Sequence, residues 1–80
     1  MFKFEIFKNN EENSSVTLVV RNRRDINPIV YKHLTNSNYD NHVSEETAID
    51  IACWCELASV GETYETDELT VIVKEWKIRL

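Results

Sequence analysis

Between Val43 and Gly61, apolar residues recur with a helical period and leave little polar surface. Ser44 can cap the start of this helix, and Gly61 can supply the left-handed residue that ends it. One predicted face is built mostly of small residues: Ala48, Ile51, Ala52, Cys55, Ala58 and Ser59. A second apolar face lies beside it: Ile49, Cys53, Leu57 and Val60. A helix that is apolar on two sides is normally covered on both, so the pattern predicts that the loop and short helix of the same chain, a second copy or another protein covers the second face.

Elsewhere apolar and polar residues alternate, which is the period of β-strands. The segments 2–7 and 16–21 show this alternation and predict a hairpin around a polar turn. Leu69 to Arg79 predicts a third strand, with a bulge near Lys74 or Glu75. Asn27 followed by Pro28 is typical of a helix start, and this shorter helix is expected to end near Thr35. Ile26, Ile29, Val30 and Leu34 lie on one side of this helix, and Ile29, Val30 and Leu34 are one candidate cover for the second face of the long helix.

The element order ββααβ predicts a single α+β domain over residues 1–80. Its expected core is a three-stranded antiparallel sheet in the order 2-1-3, with the long and the short helix packed on one face. The chain is 42% hydrophobic with one Gly and one Pro, which is typical of a globular domain. It has no apolar run near the roughly 20 residues of a membrane span, and residues 1–6 alternate where a signal peptide is continuously apolar. We therefore expect a cytoplasmic protein that does not bind membranes.

The residue pattern gives little support for a catalytic site or a metal site. Four residues could ligate a soft or borderline metal: His33, His42, Cys53 and Cys55. They lack the paired spacing of zinc sites, and the two cysteines point about 200° apart on a helix, too divergent for a mutual disulfide. Asp50 and Glu56 lie about 240° apart and do not form an acid and base pair. The sequence predicts no enzyme, no metal and no cofactor.

Acidic residues are concentrated in two places, and the net charge is −5. One cluster has Glu62, Glu65, Asp67 and Glu68 around Tyr64, and the other has Glu45, Glu46 and Asp50 on the long helix. Between Val43 and Gly61 there is no Lys or Arg to pair with them. Two interpretations are open: a solvated surface that keeps a small protein soluble, or a surface complementary to a basic protein groove with Tyr64 as an anchor.

A smaller basic cluster contains Arg21, Arg23 and Arg24, with Lys32 nearby in the sequence. Such a cluster could bind nucleic-acid phosphates, but the negative net charge opposes that partner. The simpler interpretation is that these arginines pair with Asp25, with Asp40 or with the acids of 62–68.

In size and acidity the chain resembles small single-domain proteins of phages and mobile elements, some of which inhibit host defence nucleases by occupying their nucleic-acid channels. The resemblance implies a non-enzymatic protein-binding module, in its most concrete form an inhibitor of a host defence protein, with a basic nucleic-acid-binding protein as partner. The alternatives are a nucleic-acid-binding accessory protein that uses Arg21, Arg23 and Arg24, and a homodimeric structural protein. A dimer would use Ile49, Cys53, Leu57 and Val60 if the short helix leaves them uncovered.

Overall fold

A computed structural model describes residues 1–76 and has an α+β fold. The elements are β1 (Phe2–Lys8), β2 (Glu11–Val20), a 3₁₀ turn (Arg23–Asp25), α1 (Ile26–Leu34), α2 (Glu45–Leu57), β3 (Thr63–Glu65) and β4 (Leu69–Trp76). The sheet is antiparallel with the order β2-β1-β4-β3. The α+β class and the central position of the first strand are therefore confirmed. Among the described residues, no helix is both long and apolar enough to cross a membrane.

The third predicted strand corresponds to β4, and its predicted bulge is confirmed. Lys3 pairs with Glu75 while Phe4 pairs with Val73, which leaves Lys74 as the extra residue. Residues 77–79 of that predicted strand lie outside the described residues.

The prediction of three strands was wrong by one, because β3 was not anticipated. This strand has only three residues, and Thr63 and Glu65 are exposed, so it carries no alternating apolar pattern. It forms because the chain turns back beside β4, where Tyr64 pairs with Val71.

The small-residue face of α2 lies in the core. Ala48, Ile51, Ala52 and Cys55 are fully buried, in one cluster with Phe4 and the other inner-face residues of β1 and β4. The small side chains of Ala48 and Ala52 let α1 and α2 pack directly against each other. The sheet face opposite the helices is crossed by two ion pairs, Lys3–Glu75 at 3.2 Å and Lys74–Glu5 at 3.9 Å.

The helix boundaries differ from the predicted ones. Ser44 caps α2 as expected, since the Thr47 backbone N–H donates to Ser44 Oγ at 3.4 Å. The helix ends at Leu57 and not near Gly61, because Ala58 is already extended, with ψ 152°. Gly61 has φ +91° in the turn that follows. The other helix, α1, begins at Ile26, so the predicted Asn27 cap and Pro28 both lie in its first turn.

Of the coverings considered for the second face of α2, the short helix is not the one that the structure shows. Exposed fractions are 48% for Ile49, 81% for Leu57 and 54% for Val60, and Cys53 is exposed too. Ser59, expected on the small-residue face, is also exposed. The reason is that α1 lies along the buried side of α2 and presents Ile26, Val30 and Leu34 to the core, while Ile29 stays 38% exposed.

Replacing Ala52 with Leu is expected to overpack the junction of the two helices. The expected loss of unfolding free energy is on the order of 1 to 3 kcal/mol, measured by urea denaturation. Asp50→Leu is the control, since it enlarges an exposed position on the other side of the same helix and should change stability much less. Equal effects of the two changes would show that the buried face of α2 has been misassigned.

Candidate functional site

The topology places three turns at one end of the molecule. Lys8 of β1 pairs with Glu11 across the hairpin and with Leu69 at the start of β4. The hairpin tip and the β3–β4 turn are therefore neighbours, and Asn9 N–H donates to the Glu68 carbonyl at 2.9 Å. The loop between α1 and α2 reaches the same place through Asp40. We call this the acidic end, because of the side chains it collects.

A groove of about 940 Å³ opens at the acidic end. It is lined by Phe7, Asn9, Asn10, Glu11, Asn13, Asp40, Glu65 and Thr70. Its three carboxylates come from three segments that are distant in the sequence: the hairpin, the helix connection and β3. Phe7 is half-buried and gives the otherwise polar groove an apolar contact. The groove thus combines negative charge, amide groups and one aromatic ring.

Amide and hydroxyl groups hold the frame of this acidic groove. Asn9 Nδ2 donates to the Thr66 carbonyl at 2.8 Å, and Asn9 Oδ1 accepts from the buried Thr70 hydroxyl at 2.5 Å. Thr66 Oγ1 accepts from the Leu69 N–H at 2.9 Å. Asn10 has φ +67°, a left-handed conformation that asparagine tolerates in a tight hairpin turn. None of these bonds uses the carboxylate of Asp40 or Glu65.

A buried pair of polar residues fixes the loop that carries Asp40. His33 Nε2 lies 3.2 Å from Asn41 Oδ1, and the His33 and Tyr39 rings have centroids 4.3 Å apart. His33 is 7% exposed and Asn41 is 2% exposed. Burial lowers the pKa of His33, and the Asn41 hydrogen bond partly opposes that shift. The neutral imidazole is therefore the form that fits this loop.

The predicted acidic residues of the β3–β4 region are divided between two roles. Glu65, Asp67 and Glu68 are exposed at the acidic end, and Glu65 lines the groove. The Glu62 carboxylate instead accepts from the Ser59 N–H at 2.6 Å and so orders the turn after α2. Tyr64 is half-buried with its ring 5.4 Å from Trp54, which makes it a packing contact between β3 and α2.

The predicted acidic residues of α2 also have different surroundings. Glu45 accepts from the Tyr31 hydroxyl at 3.0 Å, and this hydrogen bond raises the pKa of Tyr31. Glu46 and Asp50 are exposed. They share the outer surface of the helix with uncovered apolar residues, and we call Glu46, Ile49, Asp50 and Leu57 the α2 outer face.

The groove residues Glu11 and Asp40 were not among the predicted partner-binding residues. Each is a single carboxylate in a polar segment, and nothing local in the sequence distinguishes it from an ordinary surface acid. Only the pairing of β1 with both β2 and β4 brings these segments together. The hairpin and the loop between α1 and α2 are both rich in asparagine, and this shared composition was the signal in the sequence that could have pointed to the groove.

Three arginines lie at the opposite end, where β2 leads into α1. Arg21 and Arg24 are exposed, and within residues 1–76 neither forms the ion pair that was expected with Asp25, with Asp40 or with the acids of 62–68. Arg23 reaches the Glu56 carbonyl at 3.5 Å and lies 5.9 Å from the centre of the Phe2 ring. We call this the arginine end.

Lys32 does not join the arginine end. It lies near the last turn of α1, which runs from the arginine end toward the acidic end. The six residue steps from Ile26 to Lys32 separate it from the start of α1 by about 9 Å along the helix axis.

The two cysteines lie in different environments. Both are free, and burial raises the pKa of the Cys55 thiol to about 12, which keeps it protonated. Cys53 is exposed and accepts from Asn27 Nδ2 at 3.6 Å. In the part of the chain that the structure describes, no three potential ligands lie together in a metal-binding arrangement.

Comparison of the chain with protein-family models, with curated proteins and with solved structures gives no match.

The buried His33 predicts that acid weakens the fold. The folded pKa is below the usual 6.5, so the unfolded state binds more protons and stability falls as the pH drops through and below about 6.5. Urea denaturation between neutral and mildly acidic pH should show this fall, and His33→Gln should flatten it. An unchanged slope in His33→Gln would contradict the neutral buried imidazole.

Proposed function

We propose that the protein is a non-enzymatic protein-binding module whose acidic groove holds a basic segment of a partner protein. The observation that carries this proposal is the convergence of Asp40 and Glu65, from distant segments, in one groove whose third carboxylate, Glu11, is paired with Lys8 at 3.9 Å. Their frame is held by other groups, so the carboxylates of Asp40 and Glu65 are not required for the local fold.

The chemistry of the acidic groove favours an extended segment rich in Arg or Lys. Carboxylates can accept from guanidinium or ammonium groups, and Asn10 and Asn13 can bond the backbone of such a segment. Phe7 offers a ring for the apolar stem of an arginine or lysine. Exposed ion pairs contribute only about 0 to 1 kcal/mol each, so the charges mainly steer and orient the partner.

The most concrete form of this function is an inhibitor of a host defence protein, as encoded by phages or mobile elements. The host protein's basic channel, which normally holds nucleic-acid phosphates, would bind the carboxylates of the acidic end in place of those phosphates. The net charge of −5 and the exposed acids Asp67 and Glu68 beside the groove support that partner. Such a protein would act in the cytoplasm.

The runner-up function is nucleic-acid binding at the arginine end. The observation that favours it is that Arg21 and Arg24 are exposed and without an ion pair within residues 1–76. The acidic end of the same small domain repels phosphate, which makes this the weaker hypothesis.

The double reversal Asp40→Lys and Glu65→Lys is expected to abolish binding to an arginine-rich peptide and to the partner captured from lysate. The matched control is Glu46→Lys with Asp50→Lys on the α2 outer face, which makes the same change in net charge away from the groove. Binding is measured by fluorescence anisotropy, and association should slow as salt shortens the Debye length from about 10 Å at 0.1 M to about 3 Å at 1 M.

If the Glu46→Lys and Asp50→Lys variant loses binding while the groove reversal keeps it, the groove is not the binding site and the partner binds the α2 outer face. If nucleic acid is the partner, changing Arg21, Arg23 and Arg24 to Ala should remove binding to a labelled duplex, and the groove reversal should strengthen it. The groove reversal thus has opposite outcomes under the two hypotheses.

A further inference from the structure

His33 lies where the loop between α1 and α2 meets the core. It belongs to the last turn of α1 and contacts the two residues on either side of Asp40. Its Nε2 lies 3.2 Å from Asn41 Oδ1, and its ring centroid lies 4.3 Å from that of Tyr39. The groove residue Asp40 is therefore flanked by two residues that contact the same imidazole.

The middle of this loop has few other links to the rest of the fold. The Tyr39 N–H donates to the Asn36 carbonyl at 3.1 Å and the His42 N–H to the Tyr39 carbonyl at 3.2 Å, so these bonds close turns within the loop. Among the described residues, the His33–Asn41 bond is the one hydrogen bond that joins residues 37–42 to a helix or strand. The position of the loop thus depends on His33.

The contacts of His33 fit the neutral imidazole and not the cation. Nε2–H donates to Asn41 Oδ1, and Nδ1 has no hydrogen-bond partner within residues 1–76. A second proton would place an unpaired donor and a charge in a buried site, which is costly. The protonated ring is therefore stabilised by moving into water, and its departure removes the hydrogen-bond partner of the buried Asn41 side chain.

Few charged groups surround His33. Tyr39 is the titratable side chain in contact with it, and within residues 1–76 no carboxylate of α2 or of the strands forms an ion pair with it. Lys32 on the same helix and the loop residues Asp40 and His42 are exposed, and His42 Nδ1 lies 2.7 Å from the Tyr39 carbonyl oxygen. Burial is the main influence on His33, and it lowers the pKa of the imidazole.

We propose that His33 is a pH-dependent lock on the acidic groove. At neutral pH the imidazole holds the loop closed and keeps Asp40 in the groove. In mild acid the protonated ring leaves its site, the loop opens, and the groove loses Asp40. This inference rests on the proposed function, because it makes the binding of a basic segment dependent on pH.

The direction of the effect follows from proton linkage. In the open loop His33 is in water, where the usual pKa is about 6.5, whereas the closed loop keeps the pKa lower. Opening therefore takes up a proton, and the closed fraction falls as the pH drops through and below about 6.5. The affinity of the groove falls with that fraction, since the closed loop is the form that presents Asp40.

The test is the affinity for a rhodamine-labelled arginine-rich peptide without histidine, measured by fluorescence anisotropy at pH 7.5 and pH 5.5 and constant ionic strength. The wild type is expected to bind about threefold or more weakly at pH 5.5. His33→Gln should lose most of this pH dependence, because the Gln amide can donate to Asn41 but does not titrate. His42 and the groove carboxylates are the same in both proteins, so the difference between them isolates His33.

An NMR titration of the wild type needs no variant and covers a failure of His33→Gln to fold. The amides of Tyr39, Asp40 and Asn41 should shift with the midpoint of the His33 imidazole, while the amides of β1 and β4 show that the fold persists. Equal pH dependence of affinity in the two proteins, or loop amides that do not follow the His33 midpoint, would overturn the inference and leave binding at pH 7.5 intact. No peptide binding at pH 7.5 would instead refute the proposed function, and with it the regulation of binding.

Discussion

The antiparallel packing of α1 against α2 is the constraint on which the rest of the structure depends. Ala48 and Ala52 are small enough for the helices to lie close, and polar contacts follow the seam from Tyr31–Glu45 to Asn27–Cys53. Because α1 lies on the buried side of α2, the other side of α2 stays uncovered. Because the helices are antiparallel, α1 ends and α2 begins at the acidic end. The loop between them therefore brings Asp40 to the groove.

Charge separation follows from this topology. The hairpin tip, the helix connection and the β3–β4 turn all lie at one end, and these segments carry acids and amides. The chain leaves β2 at the other end with Arg21 and Arg24 exposed there. A small domain with opposite charges at its two ends can offer its acidic end to a basic partner while Arg21 and Arg24 stay exposed at the other end.

Periodicity in the sequence was sufficient to predict the main elements. Phe4 and Ile6 on a central strand, the Ser44 cap and the bulge at Lys74 all depend on local patterns, and the structure contains each of them. The strand at Thr63–Glu65 and the early end of α2 depend on tertiary contacts and were missed. The groove depends on contacts between segments about 55 residues apart in the sequence, such as Glu11 and Glu65, so no local signal could reveal it.

The central claim is that the acidic groove binds a basic segment. The most direct measurement is a titration of ¹⁵N-labelled protein with an arginine-rich peptide, followed by amide chemical shifts. The account predicts that the largest changes occur at Asn9, Asn10, Glu65 and Thr70, with Arg21 and Arg24 little affected. Changes confined to the α2 outer face, or no saturable change at the groove, would contradict it.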